Sequence, residues 1–133
     1  MFEKELFNYI KANFTVNKFD IKVYFGDAPQ NTKQPYIVMF PLDIDGTKQV
    51  LCNENNYTDG ESYIQFNLYG LDVSNLIYIK QKLDIFLAEL YSLNSYRILL
   101  NQHEGARGGF EDNTGLKIET LTRNFTYTTL ERV

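Results

Sequence analysis

What this chain lacks narrows its function before any motif is read. Cys52 is its only cysteine, so no intrachain disulfide can form and nothing signals an oxidising compartment. His103 is its only histidine. One Cys and one His are too few ligands for a structural zinc site. No apolar run approaches the ~18 residues of a membrane span. The opening stretch MFEKELFNYIKANF is charged within its first five residues and has no continuous apolar core, unlike a secretory leader. The sequons at Asn13, Asn56 and Asn124 therefore carry no weight. Clustered basic charge is missing too: 13 Lys and Arg are scattered among 17 Asp and Glu, for a net charge of −4. A stable grip on nucleic acid needs clustered cations that release counterions, so this balance argues against it.

What is present is ordinary globular material. With 133 residues and 44% apolar content, the chain reads as one domain, 1–133, burying about two-thirds of its unfolded surface. Ten Tyr and ten Phe suit strands and also suit protein–protein contact.

The clearest pattern runs from Glu61 to Tyr91. Ile64, Phe66 and Leu68 alternate with Tyr63, Gln65, Asn67 and Tyr69, which predicts a half-buried strand. After Gly70-Leu71-Asp72 the period changes, and Leu76, Ile79, Leu83, Phe86, Leu87 and Leu90 mark an amphipathic helix. Residues 2–14 read as a first helix with the stripe Phe2, Leu6, Tyr9, Ile10 and Phe14. Strands follow at 21–25 and 36–44, the latter interrupted by Pro41, which places it at a sheet edge or breaks it. Asp45-Gly46 reads as a turn pairing that strand with a weaker one at 48–52 in a hairpin, and 53–60 as a polar connection. Beyond the long helix come a strand at 96–101 and a glycine-rich mobile loop at 102–115. The final strand, 116–130, changes the parity of its apolar set, which predicts a bulge near Glu119-Thr120. The fold class expected is α+β, with two helices on one largely antiparallel sheet in the order α-β-β-β-β-α-β-β and an extended hairpin.

Chemistry is sparse. His103 with Glu104 invites acid–base catalysis by a small hydrolase, yet no nucleophile-elbow pattern accompanies it. Asp43 and Asp45 before Gly46 hint at a calcium loop that lacks its remaining oxygens, so a solvated turn is the better account. Gly105-Ala106-Arg107-Gly108-Gly109 looks phosphate-friendly but is no P-loop. No cofactor, metal or catalytic residue is assigned.

Several segments in one order resemble the siphophage tail-completion, or tail-terminator, family. They are the N-terminal helix, the strand ending at Tyr24-Phe25-Gly26, the Gln-Pro-Tyr-Ile-Val entry at 34–38, and the alternating block 63–70 with its long helix. The ending Phe110-Glu111-Asp112-Asn113-Thr114-Gly115-Leu116 and its long strand complete the likeness. The resemblance implies a homo-hexameric ring that caps the tail tube and meets the head connector, located in the virion tail or neck and in host cytoplasm during assembly. Its implied partners are itself, the tail tube protein and the connector proteins. DNA passes through without being specifically held, and no membrane is involved. On this reading the interface candidates fall in two groups. Tyr36, Phe40, Pro41, Asp43, Asp45, Lys48 and Tyr57 reach a neighbouring subunit, while Arg107 and Phe110, within 103–113, meet a tail or neck protein. Alternatives are a minor head–tail connector subunit and a monomeric binding domain of cellular origin.

Overall fold

The computed structural model describes residues 2–30, 32–42, 50–52 and 57–130, the side chains of 50–52 and 57–59 excepted. Its elements are α1 (Phe2–Asn13), β1 (Lys22–Phe25), β2 (Tyr36–Leu42), β3 (Val50–Cys52), β4 (Tyr57–Gly70), α2 (Val73–Ala88), β5 (Tyr96–Glu111) and β6 (Lys117–Thr129). The class is α+β, with two helices on a mostly antiparallel sheet. The strands lie in the order β1-β2-β4-β6-β5, with β3 also on β4, and only β1 and β2 are parallel.

The strict alternation of β4 decides which face is covered. Its even residues, among them Ile64, Phe66 and Leu68, are fully buried, while Tyr63, Gln65, Asn67 and Tyr69 stay half-exposed. Both helices pack on the even face. A helix as short as α1 is marginal in water by itself, and its apolar stripe docks it. Phe2 stacks on Tyr127 at 4.1 Å and meets Tyr96 edge-on at 5.4 Å, with Leu6 and Ile10 sealed beneath. α2 starts where Asp72 accepts a hydrogen bond from Ser74 N at 2.9 Å, an N-cap that satisfies an otherwise orphan donor. Its Leu76, Ile79, Leu83 and Leu87 fill the space over β4 and β6. The helix ends at Ala88 rather than Tyr91, where Leu90 N donates to the Leu87 carbonyl and Asn101 Nδ2 from β5 donates to the Leu87 and Leu90 carbonyls.

Four sequence expectations need correction. β3 pairs with β4, not β2, so the hairpin does not join 36–44 to 48–52. β2 and β3 occupy the same edge of β4 and run the same way, because β6 takes the other edge. The turn expected at Asp45-Gly46 lies outside the described residues. Residues 57–60 belong to β4 rather than to a connection. The loop expected at 102–115 is strand through Glu111, and the extended hairpin is β5–β6. The bulge expected in β6 lies instead in β5, whose register shifts at Ile98/Leu100, His103/Gly105 and Arg107/Phe110 while β6 pairs β4 without a break. Glycines mark the second and third of those shifts, at Gly105 and Gly108-Gly109, where a residue without Cβ eases the local bend.

Pro41 behaves as its chemistry requires, although β2 lies between two strands. Gly26 N donates to Met39 O at 2.8 Å, so Met39 faces β1, and Pro41 two residues on points its ring nitrogen the same way. β1 pairs no further than Met39, so among the described residues the missing N–H falls on an unpaired stretch of edge.

Candidate interaction surface

The second face of the sheet carries no helix among the described residues, and its side chains form cross-strand rows. One row runs Tyr36, Tyr69, Ile118, Phe110 across β2, β4, β6 and β5. Tyr36 and Tyr69 stack at 4.9 Å, and Tyr24 meets Tyr36 edge-on at 6.2 Å. Partial burial, then the neighbouring Tyr69, pushes the Tyr36 phenol above its ordinary pKa, so it stays neutral at physiological pH. The next row is Val38, Asn67, Thr120, Arg107, and the one after it Phe40, Gln65, Thr122, Gly105. Tyr63, Gln65, Arg107, Phe110, Thr120 and Thr122 line an open groove of about 570 Å³ on this face.

The two groups of candidate residues therefore meet. Tyr36 and Phe40 come from β2 and Arg107 and Phe110 from β5, yet all four share one face, where distinct partners were expected. Phe110 is 46% exposed, a large apolar group in water at the end of the aromatic row. Pro41 sits at the free edge beside them. Asp43, Asp45 and Lys48 lie outside the described residues, and of Tyr57 only the backbone pairing with Cys52 is described. Tyr63, Gln65, Tyr69, Ile118, Thr120 and Thr122 are members that sequence reasoning missed. The odd residues of β4 were the available signal, since alternation alone assigns Tyr63 through Tyr69 to a common face.

The remaining chemistry is structural. On the helix side, Lys80 of α2 meets Glu119 at 2.7 Å, and Glu119 also accepts from Gly109 N at 3.0 Å. The glycine-rich segment thus surrounds an anion, which is the chain's own carboxylate. One turn along α2, Asp84 accepts from the Arg123 guanidinium, whose other donors reach Asn101 Oδ1 at 2.7 and 3.0 Å. His103 Nδ1 lies 3.3 Å from Asp84, whereas Glu104 lines the groove on the opposite face and accepts from Gln102. The pair that invites acid–base catalysis in the sequence is split by the sheet. Among the described residues no cluster of His, Cys, Asp or Glu could hold a metal ion.

Compared with known protein families and with curated proteins, the chain matches none.

Proposed function

We propose that the chain is a ring-forming assembly protein of a phage or prophage virion, a tail terminator that caps the tail tube and joins it to the head connector. The observation that carries this reading is the convergence of Tyr36, Tyr69, Ile118, Phe110 and Arg107 on a sheet face without a helix. A single face with an aromatic row, a polar groove and the exposed Arg107 guanidinium has the composition of a protein contact, where aromatic residues and Arg are enriched. A ring needs heterologous contacts, one patch meeting a different patch on the next copy, and this one-sided sheet presents two unlike faces. The long β5–β6 hairpin places Arg107 and Phe110 at the far border of that face, where a neighbour or a tail protein can reach them. No catalytic role, cofactor or membrane belongs to this reading, and the acidic balance lets DNA pass without being held.

The test is assembly. Light scattering with negative-stain imaging gives rings of six copies, alone or on isolated tail tubes. A phage lacking the protein produces overlong, open-ended tails. Tails of normal length that fail to join heads assign the chain to the connector instead, and normal virions end both readings.

A further inference from the structure

Among the described residues the strand path β1-β2-β4-β6-β5 ends at β1 and β5, and the two ends differ in what they can accept. β5 is long, but its three register shifts leave no unbroken pairing longer than Leu100–His103. Such bulges bend an edge and spoil it as a template for another strand. β1 is short and regular. Because Gly26 N bonds toward β2, Val23 and Phe25 aim their N–H and C=O groups outward, and neither has an outward hydrogen bond among the described residues. Beside this edge lies a groove of about 610 Å³, walled by Phe7 and Lys11 of α1 and floored by residues 21–25.

Charge at the groove has one dominant sign. Lys11 and Lys22 line it, and Lys4 Nζ sits 4.9 Å from the Phe25 ring centre. Among the described residues none of these three lysines has a carboxylate within 4.0 Å. Asp27 is the lone acid on the lining. We propose that the outer edge of β1 accepts an extended acidic segment of a partner protein as an added strand. The backbone groups of Val23 and Phe25 extend the ladder, and apolar side chains on the α1 side rest on Phe7 and Phe25. Carboxylates at the alternate positions face Lys22, with Lys4 and Lys11 adding positive field across the edge. A second copy is the wrong occupant. β1 against β1 brings like lysines together, and β5 is too interrupted to zip along it.

The experiment uses the full chain and a fluorescein-labelled heptapeptide alternating Glu and Val, read by anisotropy at low salt. Saturable binding is expected, weakened about tenfold by the exposed double change Lys11→Glu with Lys22→Glu and by added salt. N-methylation of the central four peptide amides abolishes it, while Arg107→Glu on the open face leaves it unchanged. Circular dichroism confirms that each variant is folded. Absence of binding, equal binding of a matching heptapeptide alternating Lys and Val, or indifference to N-methylation overturns the proposal. So does self-association in sedimentation that the same double variant removes, which would give the edge to a second copy. A chain that forms no rings yet binds the peptide keeps this inference and loses the preceding reading.

Discussion

Glu119 is 3% exposed, and its surroundings explain why two glycines stand where they do. A carboxylate buried that deeply must be paired and hydrogen-bonded. Lys80 supplies the charge, and Gly109 N supplies a donor from a backbone at φ 82°, which side-chain-bearing residues rarely adopt. A Cβ on Gly108 would overlap the carboxylate oxygens. Gly108→Ala is therefore expected to destabilise the chain by about 1–3 kcal/mol, read from its urea midpoint. Lys80→Met leaves a buried charge unpaired and should lose about 3 kcal/mol, whereas Lys80→Met with Glu119→Leu recovers most of it. A double variant no better than the single one contradicts that account. The sequence showed a glycine-rich, anion-friendly run, and nothing local revealed that its anion stands ten residues downstream across a hairpin.

At the scale of elements, helices were legible and strand pairing was not. The stripes depend on spacing within one segment, and Phe2, Leu6, Ile10, Leu76, Ile79 and Leu83 are buried as expected, whereas Tyr9 of the first stripe is exposed and Phe7, outside it, is buried. The partner of β3 depends on which edge of β4 is free, which no local pattern states. Of β5 only the first part, 96–101, was legible; beyond it a bulged edge strand that is almost wholly exposed has neither period 2 nor apolar bias, so 102–111 reads as a loop. Its turn is held by Asp112, whose Oδ1 accepts from Thr114 N, Thr114 Oγ1 and Leu116 N at 2.7–3.0 Å. These bonds, the Thr114 hydroxyl first, hold the carboxyl below its ordinary 3.8. A carboxyl lowered in the folded chain contributes stability present above the unfolded value and lost as pH falls through the folded one. The hairpin tip is thus expected to stay closed at neutral pH and to open only in acid below 3.8. Amide exchange at Thr114 and Leu116 checks this, and Asp112→Ala should speed it already at neutral pH.

For the whole molecule, the decisive property is that, among the described residues, helices cover one face of the sheet and not the other. Half of that face was written in the sequence as the odd set of β4; the rest needed the long-range register that places Phe110 beside Ile118. Because Arg107 and Phe110 are exposed, Arg107→Glu with Phe110→Ser should leave the melting temperature within a few degrees. If the proposed contact is real, the same change reduces ring formation at least about tenfold. Unchanged rings in negative stain move the interface elsewhere. The interruption between β2 and β3 has a consequence of another kind. From Leu42, opposite Tyr63, to Val50, opposite Asp59, the chain spends seven residues (43–49) where β4 spends three (60–62). β4 acts as a splint that fixes the strand on each side separately, so the length of the stretch between them is decoupled from either register. Each pairing with β4 is made by residues outside that stretch. An epitope of similar length spliced in after Asp45 should leave thermal unfolding nearly unchanged, making this the place where the chain can gain or shed sequence while its sheet stays the same.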